Sequence, residues 1–166
     1  MNTTLRFTST AAPNLPQERE ALCQSADPET IYHFREGIPA FEDVHDFVFL
    51  AAAETHPFLY MQAVAEPGLC FVCVDPFTVC PDYHLQIPAD YERCLEIQPE
   101  DELLILSLVT VRTRIEEVTA NLMHPLVINA RTRKGMQVIP ASSPYPVKYR
   151  IWDAVQQADA PARRVS

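Results

Sequence analysis

Cys70 and Cys73 form a Cys-x-x-Cys pair, the spacing used by thiol redox centres and zinc sites. Such pairs sit on turns or at helix starts. This one lies inside the apolar run LCFVCV, residues 69–74, where a strand is expected. Residues three apart on a strand point to opposite faces, so the two thiols could share a metal only across a bulge. They read instead as buried thiols that pack as small hydrophobes. Cys80 and His84, taken with Cys73, lack the second pair that would complete a zinc site. Cys94, His124 and Asn121 are the residue types of a cysteine nucleophile with its base and orienting amide, but no local signature joins them. His33, His45, His56 and His84 follow no metal-ligand spacing. Phosphate loops of the Gly-x-Gly-x-x-Gly or Walker type are absent, and 3 glycines leave little material for one. No catalytic residue, metal or cofactor is expected. The remaining alternative is a barrel domain with a small-molecule, metal or thiol redox site at Cys70, Cys73 or Cys80.

Charge is the second source of chemistry. Glu92, Glu96, Glu100, Asp101 and Glu102 form one acidic group, readable as a partner face or as a solvated helix-and-turn surface. The whole chain carries a net charge of −9 with a pI of about 4.9. Nucleic acid and anionic membranes would repel it; a basic protein partner, or plain solubility, suits it. No segment has the basic-then-apolar pattern of a leader, and no run reaches the roughly 18 apolar residues of a membrane helix. Cysteines number 5, an odd count outside any short secreted framework, and read as reduced thiols in the cytoplasm.

These groups must be held by the elements around them. The 166 residues fit one domain, and 48% hydrophobic residues suffice for a core. Short apolar runs recur at 31–35, 46–51, 58–64, 69–75, 83–87, 102–112, 118–123, 125–130 and 136–140. Their length and spacing predict a mainly β fold, a small antiparallel barrel or sandwich. One or two short helices are predicted, at 89–97 and 17–24, and a first strand at Thr3 to Thr8. The 15 prolines fall mostly at run edges, where a strand tolerates a missing donor. Gly37, Gly68 and Gly135 each fall in a predicted turn. Asn121 and Asn129 bracket Pro125 and an apolar strand and read as caps for strand-end backbone. The domain is expected to span 1–153, with a disordered tail over 154–166.

Four segments, in order, resemble the FliW family. The first is Phe34 to Glu42, FREGIPAFE, with Gly37, Pro39 and Phe41 at the motif positions. The second is His56-Pro57-Phe58, followed by Tyr60-Met61-Gln62. The third is FVCVDPF, 71–77, with Asp75 and Pro76 at its end and Asp82-Tyr83 beyond. The fourth is Thr119 to Asn129, TANLMHPLVIN, followed by Arg133, Gly135 and Gln137-Val138 in a family-like hairpin. The resemblance runs from about residue 31 to 150. Ala40 stands where the family has glycine, which implies that this turn needs no positive φ. His124 replaces a common alanine, and the N-terminal segment is longer and less regular than usual.

The resemblance implies a regulatory switch in place of an enzyme. FliW proteins bind flagellin in the cytoplasm. When flagellin is exported, freed FliW binds the translational regulator CsrA and relieves its repression of flagellin messenger RNA by an allosteric route. A chaperone-like role toward flagellin goes with this. CsrA is small and basic, so an acidic partner gains in association rate. For the CsrA contact the stretch Asp82, Tyr83, His84 and Gln86 is expected to be an exposed edge-like strand. Tyr83→Ala with His84→Ala would then weaken binding without unfolding. Glu96, Glu100, Asp101 and Glu102 are the second candidate surface.

Overall fold

In the computed structural model, residues 8–9, 26–51 and 55–159 are described. The apolar runs become strands β1 (Thr8–Ser9), β2 (Tyr32–His33), β3 (Asp46–Ala51), β4 (Phe58–Ala63) and β5 (Cys70–Val74). They continue as β6 (Leu103–Thr110), β7 (Thr119–Ala120), β8 (Leu126–Asn129), β9 (Lys134–Gln137) and β10 (Tyr149–Arg150). Among the described residues three short α-helices accompany them: α1 (Pro76–Val79), α2 (Ala89–Cys94) and α3 (Trp152–Asp159).

β3, β4, β5 and β6 pair antiparallel in sequence order. β6 then divides its second edge: Leu103 to Leu106 pair with β8, while Val109 and Thr110 pair with β7. β8 pairs with β9, β9 lies parallel to β2, and β2 pairs back onto β3. The ring β6-β5-β4-β3-β2-β9-β8 closes on itself as a barrel, which leaves these strands without the open edges of a flat sheet. The closure is mixed, not purely antiparallel, because β9 meets β2 in parallel. β1 also lies parallel to β3, beside Leu50 and Ala51.

Alternation along the strands decides what lies inside. Phe47 and Phe49 of β3, Met61 and Ala63 of β4, Cys73 of β5, Leu106 of β6 and Leu126 and Ile128 of β8 form one buried cluster with Phe34, the barrel interior. Phe34 and Phe47 meet edge to face, with ring centroids 5.4 Å apart. The outer faces are covered too. Val74, Val79, Tyr83, Leu122, Ile151 and Val155 join α1 and α3 to the outside of the sheet. Leu95, Val127 and Val138, with Tyr91 and Ile97 against them, do the same beneath α2. Burial on both faces explains why Leu103 to Leu106 of β6 and Leu126 to Ile128 of β8 are unbroken apolar runs instead of alternating.

Several expectations change. No strand forms at 83–87, and α1 and α3 form where no helix was expected. The predicted tail from Ala154 is helical to Asp159, because Val155 packs beside Ile151 and Trp152 lies against the same cluster. The predicted helix at 17–24 lies outside the described residues, as does most of the predicted first strand. Gly135 is not in a turn: it sits within β9, opposite Ile128, where a Cβ would run into the Phe34 ring. Gly37 does need its freedom, with φ +63° and Phe41 O 2.6 Å from where a Cβ would lie.

Ala40 overturns the inference drawn from its own identity. Its φ is 74°, the left-handed region, held in place as its N–H donates to Glu42 Oε1 at 3.0 Å. An L-residue pays there for a Cβ that glycine lacks. Ala40→Gly is therefore expected to stabilise the protein by about 1 kcal/mol, the left-handed penalty less glycine's greater freedom when unfolded. A raised urea midpoint at unchanged slope would show it; a lowered midpoint would refute it.

Candidate functional site

Asp75 ends β5 and caps α1, its carboxylate accepting from Phe77 N–H at 2.8 Å with Pro76 in the first turn. The chain leaves α1 through a turn in which Tyr83 N–H donates to Cys80 O. This brings Tyr83 inward. It is 4% exposed, and its hydroxyl donates to Leu122 O at 3.0 Å. Its ring meets Phe77 at 5.4 Å and Tyr145 at 4.5 Å. Burial pushes its phenol up to about 12, with Tyr145 and Cys80 adding to the shift.

Tyr83 is thus a packing anchor, not a contact on an exposed strand, and Tyr83→Ala would remove core. Asp82, His84 and Gln86 remain exposed around it. The Tyr145 hydroxyl ties this stretch down: it accepts from His84 N–H at 3.0 Å, lies 2.9 Å from His84 Nδ1, and lies 3.3 Å from Asp82 O. The alternation that suggested a strand is real, but no strand among the described residues pairs with it.

The acidic group separates into two kinds of residue. Asp101 is enclosed, with its side chain 2% exposed against Arg131. Arg131 holds it from two nitrogens, at 2.7 and 3.0 Å, while Gln98 N–H at 2.8 Å and Asn129 Nδ2 at 2.9 Å donate to Oδ2. The Arg131 bond first, then these donors, hold the carboxyl well below the usual carboxylate range, against the opposing effect of burial. Glu96 pairs with Lys134 at 2.8 Å, which lowers its pKa. These two residues bind the end of α2 to the β8–β9 hairpin. Glu92, Glu100 and Glu102 face solvent.

The asparagines cap backbone as expected. Asn121 Oδ1 accepts from His124 N–H at 3.0 Å. Asn129 is fully buried; it donates to Leu95 O at 3.0 Å and accepts from Arg131 N–H at 3.0 Å. Pro125 O accepts from Val138 N–H, and His124 O accepts from Gln137 Nε2, which fastens β9 beside this turn. Pro39 lies in the turn that an isolated bridge between Ile38 and Phe41 closes, and Phe41 meets Phe71 edge to face.

β5 pairs with β4 in unbroken register across Cys70 and Cys73, so the two thiols emerge on opposite faces. Cys73 is fully buried, and that burial pushes its thiol far up, away from a nucleophile's range. Sequence reasoning missed an apolar groove of about 540 Å³ at the far end of β5 and β6. Phe58, Tyr60, Val72, Val109, Val111 and Trp152 are among the residues that line it, and Val111 is 63% exposed. The signal available was the apolar run continuing past the paired part of β6.

A family profile described as "FliW protein" matches residues 17–151. The chain is 35% identical over 131 residues to the flagellar assembly factor FliW of Caldanaerobacter subterraneus, covering 78% of this chain and 87% of that one. It is 37% identical over 130 residues to the flagellar assembly factor FliW of Syntrophomonas wolfei, covering 78% and 83%. Its structure is similar to a crystal structure of the flagellar assembly factor FliW, with a TM-score of 0.71 and 33% identity over 76% of this chain and 89% of the other.

Proposed function

The chain belongs to the FliW family of flagellar assembly factors, and we propose that it acts there without catalysis, as a cytoplasmic binding protein that switches between flagellin and a CsrA-type translational regulator. Bound to flagellin it is silent; freed, it binds the regulator and allosterically relieves repression of flagellin messenger RNA. The observation that carries this reading is the family match over residues 17–151. A net charge of −9 adds a physical reason for fast association with a small basic regulator. No helix among the described residues is long and apolar enough to cross a membrane.

Asp82, His84 and Gln86 are the proposed regulator contacts, displayed over the Tyr83–Tyr145 anchor. The exposed carboxylates Glu100 and Glu102 are the second candidate, with Asp101 and Glu96 serving to hold that segment in place. Calorimetric titration with the CsrA and the flagellin of the same organism, separately and in competition, tests the function. Binding of both, with flagellin displacing CsrA, is the expected result; binding of neither overturns the switch. His84→Ala with Gln86→Ala is expected to weaken CsrA binding about tenfold, or ~1.4 kcal/mol, while stability falls by no more than the about 1 kcal/mol of the lost His84–Tyr145 bond. Unchanged affinity would eliminate this choice of contacts.

A further inference from the structure

The apolar groove beside α3 has a floor set by strand register. Tyr60 of β4, Val72 of β5 and Val109 of β6 are cross-strand partners and so share one face. Their neighbours Met61, Cys73 and Leu108 belong to the barrel interior, so the face they leave is the outer one. Trp152 and Val155 of α3 line the groove as well, and so do the exposed Val111 and Ile115. Its volume of about 540 Å³ falls within the range of small-molecule sites, ~300–1,000 Å³.

The groove is elongated, and its two ends differ. Phe58 is level with Ser107 through Val74. Val111, four residues beyond Ser107, therefore lies roughly 13 Å further along the strand direction. Thr55 and His56, just before Phe58, line one end, and both are engaged in interactions of their own. Arg112 and Thr113, just after Val111, line the other. Arg112 is the only Lys, Arg, Asp or Glu among the described lining residues. It is exposed, and its guanidinium has no ion-pair or hydrogen-bond partner among the described residues. In a chain of net charge −9, the groove thus offers an incoming anion one unpaired cation and no described carboxylate.

We propose that this groove binds a single-chain anionic amphiphile, a linear alkyl chain lying along Phe58, Tyr60, Val72 and Val111 with its carboxylate paired to Arg112. The guanidinium presents the paired N–H donors that a carboxylate accepts. The floor gives the tail apolar contact along its whole length. An extended peptide fits less well, because its backbone N–H and C=O groups would meet apolar side chains there. An anionic membrane surface fits less well again, since it would repel the chain as a whole. The site stands apart from the partner switch, because its occupancy is read at Trp152 whether or not CsrA or flagellin binds.

Trp152 is the single tryptophan of the chain, so its emission reports on the groove in the full-length protein. Decanoate is expected to change that emission saturably, with half-saturation below about 1 mM. Octanoate is expected to bind about tenfold more weakly, as the loss of two buried methylenes requires. Octanol, which keeps the tail and lacks the charge, is expected to bind at least several-fold more weakly than octanoate. Arg112→Gln, at an exposed position, is expected to bring octanoate down to the level of octanol and to leave octanol itself unchanged. No change in emission up to about 1 mM decanoate, the weak end of measurable association, overturns the proposal. Equal affinity for octanoate and octanol overturns it too, as does full octanoate affinity in Arg112→Gln. An acidic amphipathic helical peptide that alters Trp152 emission where decanoate does not would also overturn it, and would make the groove a protein-docking surface.

Discussion

Gly135→Ala is expected to destabilise the protein by about 3 kcal/mol, the upper part of the range for forcing an extra carbon into a packed core. A Cβ at this position would overlap the Phe34 ring, 2.6 Å from Cε2 and 2.7 Å from Cε1, with Cζ closer still. Phe34 has little room to withdraw. It is fully buried and meets Phe47 edge to face, and interiors this dense transmit a clash instead of absorbing it. Its backbone is fastened as well, its N–H donating to His45 O at 2.7 Å. Urea unfolding of Gly135→Ala measures the loss. Phe34→Leu opens space at the same point, so the double variant is expected to cost at least 1 kcal/mol less than the sum of the single ones. Strict additivity would show that the ring is not the obstacle.

Asn129→Ala is expected to cost about 3 kcal/mol, since it removes several bonds made by a fully buried side chain. Leu95 O and Asp101 Oδ2 lose a donor, and Arg131 N–H loses its acceptor. Thermal or urea melting reads the loss, and a change under 1 kcal/mol would mean that solvent replaces the amide there. The same network gives stability a pH dependence with a definite sign. Asp101 is held below the usual carboxylate range when folded, so its contribution is complete above its unfolded value of about 3.9 and is lost as pH falls from there through the folded value. Asp101→Asn is therefore expected to be less stable than the parent at neutral pH, with the gap closing below about pH 4. A gap that persisted unchanged into that acid range would show that ionisation of Asp101 contributes nothing.

Much of the barrel is legible in the chain because its causes are local. Aromatic and β-branched residues at period two, bounded by prolines, gave β3 and β4 at nearly their observed limits, 46–51 and 58–63. The same period shows that Cys70 and Cys73 diverge, and an amide next to a chain reversal shows Asn121 as a cap. The ordered motifs placed the chain in its family without any knowledge of contacts.

Other features depend on partners far away in sequence, and no local pattern encodes them. Residues 83–87 alternate like a strand, yet a strand needs a neighbour to pair with, and Tyr145 reaches His84 instead. Glu96 and Asp101 look like free surface charge until the hairpin brings Lys134 and Arg131 to them. The small, polar stretch from Ala154 is helical because Val155 finds Ile151 and the cluster behind it. Gly135 reads as a turn glycine, while what excludes a side chain there is the ring of Phe34. The sequence by itself determined the mainly β class, the limits of β3 and β4, the acidic character and the family, because propensity, period and net charge belong to neighbouring residues or to their sum. The tertiary structure alone decided which carboxylates are neutralised and which aromatic is an anchor, because each of these is set by a contact between segments that only closure of the barrel brings together.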